Sequence, residues 1–246
     1  WAQIMKERFG ATEQKTLMCR FQTQTAGSTL QAQQIDNNVV RTTLQATAAV
    51  LGGTQSLHTN SRDEALALPT EQSAQLALRT QQIIAHESGI PDVADPLAGS
   101  KYVETLTDEL ENAAMNLIEK IDELGGAVSA IDKQFQQNEI AKSAFDYQKA
   151  IDEGEKILVG LNKFSTNEHE VSDIQEIDKT AVQTQLNRLS KLKENRNQDA
   201  IKQSLVELKE TAAGEGNLMP LIIRAVQSYA TLGEISDTLR SVFGEY

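Results

Sequence analysis

The chain has 246 residues, with 23 Lys and Arg against 35 Asp and Glu and a net charge of −12. That length permits one large domain or two modest ones, and an acidic balance with scattered basic residues excludes the clustered Lys and Arg surface that nucleic acid requires. No apolar run approaches the roughly 20 residues of a membrane span and no signal-peptide core follows Trp1, so neither nucleic acid nor membrane is expected as a partner and the expected compartment is the cytoplasm.

Ile4, Met5 and Phe9, set among Lys6, Glu7 and Arg8, read as an amphipathic helix already under way at Trp1, and a truncated chain is the expectation. Thr16 to Gln24 mixes apolar and β-prone residues and ends at Ala26-Gly27-Ser28, the pattern of a strand and its break. Cys19, the single cysteine, lies in that stretch with no Cys or His at metal-ligand spacing. It is expected to be a buried structural thiol, packed like a small hydrophobe. Ile35, Val39, Val40, Leu44, Ala48 and Leu51 recur at helical spacing behind Asp36, a candidate cap, and Gly52-Gly53 ends that helix. A short strand over 54–59 precedes Asn60-Ser61-Arg62-Asp63 and Pro69-Thr70, after which residues 71–86 read as helix and stop near Ser88-Gly89. Repeated βα units of this kind predict an α/β fold with a parallel sheet or a TIM barrel.

From Thr107 the pattern becomes mainly helical. Leu110, Ala114, Leu117, Ile118, Ile121 and Leu124 form one apolar stripe, predicting a packing face closed by Gly125-Gly126. Lys156 to Asn162 is the remaining strand candidate, and the polar stretch 165–178 reads as an exposed connection. Two charged helices over 180–194 and 199–213 follow, then a turn at 214–216 and a helix over 218–229. Thr231-Leu232-Gly233-Glu234 is a capping box ahead of Ile235, Leu239 and Val242. The expected organisation is a βα part over residues 1–106 and a helical extension over 107–246.

The sequence holds no dinucleotide fingerprint, phosphate loop, zinc-protease pair or nucleophile elbow. Of the three histidines, His86 and His169 are expected to be ordinary exposed or hydrogen-bonded residues. His58 stands apart, because residues 52–60 are dense in amide, hydroxyl and imidazole groups at the C-terminal end of a predicted strand, where βα-barrel sites are built. Glu64, taken alone, reads as a surface acid near a helix start, favoured there by the helix dipole.

The run Gln55-Ser56-Leu57-His58-Thr59-Asn60, continued by Asp63-Glu64-Ala65-Leu66-Ala67-Leu68-Pro69-Thr70, resembles a segment of the methylmalonyl-CoA mutase family, as does Asn37-Asn38-Val39-Val40-Arg41. The similarity continues through Gln81-Gln82-Ile83-Ile84, Glu87-Ser88-Gly89, Asp95-Pro96 and Gly160-Leu161-Asn162-Lys163-Phe164. It reaches the closing Gly233-Glu234-Ile235 and Phe243-Gly244-Glu245. The resemblance implies the C-terminal part of a TIM (β/α)8 barrel, followed by a mainly helical extension, with acyl-CoA threaded along the barrel axis. It implies adenosylcobalamin as cofactor: homolysis of the Co–C bond gives a radical that takes a hydrogen atom from the substrate, whose carbon skeleton then rearranges. The protein's task is to orient that chemistry and keep water away. Methylmalonyl-CoA is the first expected substrate, and isobutyryl-CoA and 2-hydroxyisobutyryl-CoA are alternatives that share these motifs. An acidic helical interaction protein without catalysis would explain the later helices but leaves residues 52–70 without a reason.

By the same resemblance, Gln24, Gln55 and Ser56 contact the acyl-CoA, while Gly27, Ala65 and Leu68 meet the corrin. Glu64 holds the adenosyl ribose by charge-assisted hydrogen bonds. No residue of this segment is assigned a catalytic role, and no metal ligand is assigned. The family commonly shows His-Cys-Gln-Thr where this chain has Gln22-Thr23-Gln24-Thr25, and the residues that grip the acyl group lie upstream of Trp1, so the acyl group itself is not legible. No Asp stands two residues before any His, so the Asp-x-His-x-x-Gly motif that ligates cobalt in the family's cobalamin domain is not in this sequence. The expected partner is therefore a separate small cobalamin-binding subunit, in an oligomeric enzyme.

Overall fold

The structure, a computed structural model, describes residues 1–166 and 174–245 and divides into two units, Trp1–Gln175 and Glu176–Tyr246. The first unit opens with helix α1 (Ala2–Phe9), ended by Gly10 in the left-handed region, and a single-turn helix α2 (Gln14–Leu17). Strand β1 (Gln22–Gln24) pairs in parallel with β2 (Ser56–His58), and helix α3 (Asn37–Leu51) crosses between them. Helix α4 (Glu71–Glu87) follows β2, with Thr70 as its N-cap accepting from the Ser73 backbone N–H at 3.2 Å. This is the expected βα pairing, and it makes the chain α/β. The described residues hold one two-stranded sheet, so a closed barrel is not present in them.

Several local expectations are corrected. The strand expected from Thr16 begins only at Gln22, because Gln14–Leu17 forms a helical turn instead. With no sheet partner for residues 18–21, Cys19 is exposed and not a buried thiol. Asp36 precedes α3 but makes no side-chain cap; its carboxylate pairs with Arg62. The expected α3 stripe is only partly turned inward: Ile35 is buried and Val39 and Leu51 are half-buried. Val40 and Leu44 are 60% and 67% exposed, and the buried helical residues are Asn38, Thr42 and Ala46, four residues apart. Helix α4 repeats this, burying Ser73, Thr80 and Ile84.

Helix α5 (Lys101–Glu123) carries the expected apolar stripe, yet it buries no residue, and Leu110 is exposed. Helices α6 (Ala127–Asp132) and α7 (Phe135–Asp152) follow. The strand expected at 156–162 is one isolated bridge, Val159 to Lys163. Gly160 has a positive φ there, and Asn162 takes the local backbone, accepting from Leu158 N–H at 2.7 Å and donating to the carbonyls of Lys156 and Ile151. Part of the connection expected over 165–178, including His169, lies outside the described residues. His86 is exposed on α4.

The second unit holds α8 (Lys179–Asn195), α9 (Gln198–Ala212), α10 (Met219–Gln227) and α11 (Leu232–Phe243). Leu208, Ala225 and Ile235, one from each of the last three helices, form its apolar core. The capping box forms as the sequence predicts: Thr231 accepts from Glu234 N–H, and Glu234 accepts from Thr231 N–H at 2.8 Å. The Glu234 carboxylate also binds Arg196, whose side chain is almost fully buried and also donates to the Tyr229 carbonyl at 2.9 Å. These contacts hold the Glu234 carboxyl at about 2 against an ordinary 4.5. The Arg196 hydrogen bond is the largest cause, opposed by burial and helped by the Thr231 backbone and hydroxyl. Among the described residues no helix is long and apolar enough to cross a membrane.

Candidate functional site

Parallel pairing sets Gln22 opposite Ser56, Thr23 opposite Leu57 and Gln24 opposite His58. Strand alternation then places Gln22, Gln24, Ser56 and His58 on one face, and Thr23 and Leu57 on the other. Parallel sheets normally bury apolar side chains on both faces. A face built from two amides, a hydroxyl and an imidazole is suited instead to a polar ligand.

Beyond the C-terminal ends of the strands the two loops stay tied. Thr25 N–H donates to the His58 carbonyl at 3.0 Å, and Asn60 N–H donates to the Thr25 hydroxyl at 2.9 Å. Gln24 Nε2 reaches Asn60 Oδ1 at 3.4 Å. Gly27 closes against the same group: a Cβ there would stand 2.7 Å from Asn60 Nδ2 and 3.4 Å from both Cγ and Oε1 of Glu64. Gln24, Gly27 and Glu64, expected from separate segments, are thus brought together around Asn60. Asn60 lies in the polar run after the predicted strand, and nothing in the sequence pattern assigns it a role.

Asn60 is 3% exposed, and its Nδ2 has no hydrogen-bond partner among the described residues. A buried donor left in that state costs on the order of 1–3 kcal/mol. Its own signal in the sequence was weak, because burial and lack of a partner are properties of the folded loop.

The turn that carries Glu64 is tied together by hydrogen bonds to Asp63. Asp63, 1% exposed, accepts from the Ser61 hydroxyl at 2.6 Å and from Thr70 N–H at 3.2 Å, and its carbonyl accepts from Leu66 and Ala67. Burial pushes the Asp63 carboxyl up. Hydrogen bonds from Ser61, Ser73 and the Thr70 backbone outweigh that and leave it below its ordinary value. The turn presents Glu64, Ala65 and Leu68 outward, all exposed. A cleft of about 390 Å³ opens beside it, lined by His58, Ser61, Glu64, Pro69, Leu78 and Gln81.

Gln55 and Ser56 are not part of this cluster. Gln55 sits where the strands begin, accepting from Phe21 N–H at 2.8 Å and donating to the Gly53 carbonyl at 3.2 Å. Ser56 is the first residue of β2. Only His58-Thr59-Asn60 of the expected polar stretch reaches the C-terminal end of the strand.

An unpaired amide N–H beside a carboxylate offers a donor and two acceptors, the complement of a vicinal diol such as that of a ribose. Ala65 and Leu68 add exposed apolar surface suited to a broad, flat group. The residues present therefore fit a cobalamin-type cofactor that carries a ribose. Among the described residues, no group of three or more His, Cys, Asp or Glu is placed to hold a metal ion directly.

The sequence profile of methylmalonyl-CoA mutase matches residues 1–245. The chain belongs to the methylmalonyl-CoA mutase family. It is 45% identical to the methylmalonyl-CoA mutase of Rhizobium meliloti, an alignment covering all of this chain and 35% of that protein. It is 44% identical to the 2-hydroxyisobutanoyl-CoA mutase large subunit of Aquincola tertiaricarbonis, covering all of this chain and 44% of that subunit. Against the human mitochondrial methylmalonyl-CoA mutase the identity is 43%, covering all of this chain and 33% of that enzyme. The chain thus spans less than half the length of these family members. The Gly27, Asn60 and Glu64 cluster lies inside the matched region.

Proposed function

We propose that the parent protein is the large subunit of an adenosylcobalamin-dependent acyl-CoA mutase, an isomerase that converts methylmalonyl-CoA to succinyl-CoA in the cytoplasm. Its fold is a TIM (β/α)8 barrel, with residues 1–106 supplying the C-terminal βα units and residues 107–246 a helical extension. The observation that carries this reading is the buried, unpaired Asn60 amide beside Glu64, behind a glycine that leaves no room for a side chain.

Adenosylcobalamin, when bound, supplies one-electron chemistry able to take hydrogen from an unactivated methyl group. The chain's own residues bind and orient. Glu64 and Asn60 hold the adenosyl ribose, and Gly27, Ala65 and Leu68 meet the corrin. Gln24 and Ser56, on the polar face of the strand pair, hold the acyl-CoA, and Gln55 contacts it where the strands begin. Neutral amides and hydroxyls suit this role, since they bind a thioester or an amide without offering an easily lost hydrogen atom.

One relative of comparable identity is named as a large subunit, which supports pairing with a separate small cobalamin-binding subunit in an oligomer. The identity to that large subunit also favours a second substrate reading, in which the acyl group is 2-hydroxyisobutyryl; isobutyryl is the further alternative that the shared motifs allow. An acidic interaction protein would leave the Gly27, Asn60 and Glu64 cluster without purpose.

The test is an assay of the complete large subunit with adenosylcobalamin and each acyl-CoA, with and without the small subunit. Turnover is expected only with the partner present. Glu64→Gln should lower turnover while the half-saturating acyl-CoA concentration stays nearly unchanged. Normal turnover in Glu64→Gln contradicts the site.

A further inference from the structure

The two loops that meet at Gly27, Asn60 and Glu64 are fastened from behind by amides of helix α3. Asn38 is fully buried and uses its whole hydrogen-bonding capacity. Its Oδ1 accepts from Gln31 N–H at 3.0 Å and from Arg41 Nη1 at 2.7 Å, and its Nδ2 donates to the carbonyls of Gln31 at 2.8 Å and Arg62 at 2.9 Å. Gln31 ends the loop that begins at Gly27. Arg62 lies between Asn60 and Glu64. Arg41 extends the hold to the Val159 carbonyl at 2.6 Å. Two turns along the same helix, Gln45 grips the other end of the first loop, accepting from Ala26 N–H at 2.6 Å and donating to the Thr29 hydroxyl at 2.7 Å.

From this arrangement we propose that Asn38, assisted by Gln45, is a positioning residue that sets the spacing between the Gly27 loop and the Glu64 turn. The inference rests on the reading of that cluster as the adenosyl site. The spacing is tight, since a single added carbon at Gly27 would already collide with Asn60. A packed apolar side chain at 38 could fill the volume, but it could not bond two loops at once. This gives a physical reason for a fully buried amide in the first turn of α3, where a hydrophobe would ordinarily fill a buried position. Groups that orient contact residues act on the reacting geometry, and a displacement of about 1 Å is enough to cost roughly 100-fold in rate.

Asn38→Asp keeps the shape and the acceptor but sets an oxygen against the two carbonyls. In the complete two-subunit enzyme it should lower turnover about 10- to 100-fold, with little change in the half-saturating acyl-CoA concentration. Gln45→Leu, at a half-buried position, should produce a smaller loss of the same kind and serves if Asn38→Asp does not fold. Hydrogen–deuterium exchange of the chain without cofactor gives a readout independent of activity. The Asn38 variant should speed exchange in residues 26–31 and 60–64 together, and the Gln45 variant in 26–29. In a Glu64→Gln background the penalty of Asn38→Asp should shrink, because the group being positioned is gone.

Loss of acyl-CoA affinity in parallel with turnover, exchange changes confined to α3, or a full penalty in the Glu64→Gln background each overturn the proposal. If Glu64→Gln is impaired while Asn38→Asp and Gln45→Leu are not, this inference fails alone. If Glu64→Gln turns over normally, the site reading falls and takes this inference with it.

Discussion

The two units bury different chemistry. Around the strand pair Thr25, Asn38, Thr42, Thr59, Asn60, Ser61, Asp63, Ser73 and Thr80 are buried alongside the apolar Leu30, Ile35, Ala46 and Ile84, whereas Glu176–Tyr246 buries mainly Ile201, Leu208, Ala212, Ala225 and Ile235, with Ser204 and the Arg196 side chain as buried polar groups. Apolar burial is non-directional and stabilises in proportion to area. Buried hydrogen bonds contribute less net stability, but they fix groups in place. The helical unit is therefore built chiefly for stability, and the βα loops are built to hold a few groups at defined separations.

Mutations that separate stability from position sharpen this contrast. The largest effect is expected for Leu208→Ala, which removes the centre of the helical core and should cost about 2–5 kcal/mol in chemical denaturation. It should leave intact the affinity of the folded, complete protein for the proposed cofactor, adenosylcobalamin. An equal loss of both would erase the distinction between the units.

Acid should act next. The Glu234 carboxyl sits at about 2 in the folded chain against an ordinary 4.5, so its stabilisation is complete above the ordinary value and is lost as pH falls through the folded one. The loss amounts to at most about 3 kcal/mol. The Asp63 carboxyl is also lowered and carries the same sign. Thermal unfolding followed between about pH 5 and about pH 2 should show a steeper decline for the parent than for Glu234→Gln. Parallel declines would contradict the role of the Arg196 contact.

Gly27→Ala should cost about 1–3 kcal/mol by overpacking and should weaken adenosylcobalamin binding more than acyl-CoA binding. The smallest stability change is expected at Asn60. Asn60→Ala removes an unpaired donor along with a long hydrogen bond from Gln24 and adds no bulk against Gly27, so its stability without cofactor should stay within about 1 kcal/mol of the parent, while cofactor affinity falls sharply. A large destabilisation would show that the amide serves the fold and not a ligand.

How far the sequence could be read follows the same division. Helical periodicity located α3, α4 and the four helices after Asp178 to within a few residues, and the capping box at Thr231 was legible because its two bonds are local. The buried face of α3 was not legible from apolar spacing. There the helix turns Asn38, Thr42 and Ala46 inward, and Val40 and Leu44 stay exposed. The exposure of Cys19 was not legible for a related reason, since its environment depends on where β1 starts. Of the candidate site, Gln24, Gly27 and Glu64 were legible through a long motif. Asn60 and Asn38 were not, because what distinguishes them is a missing partner in one case and four partners from distant segments in the other.

The most direct test of the proposed adenosyl site is a structure of the complete protein with the proposed small subunit, adenosylcobalamin and an acyl-CoA. The Glu64 carboxylate and Asn60 Nδ2 should each lie within hydrogen-bond distance, about 3 Å, of the adenosyl ribose hydroxyls, with the corrin against Gly27, Ala65 and Leu68. A ribose held by other residues, with the Asn60 amide still unpaired, would contradict it.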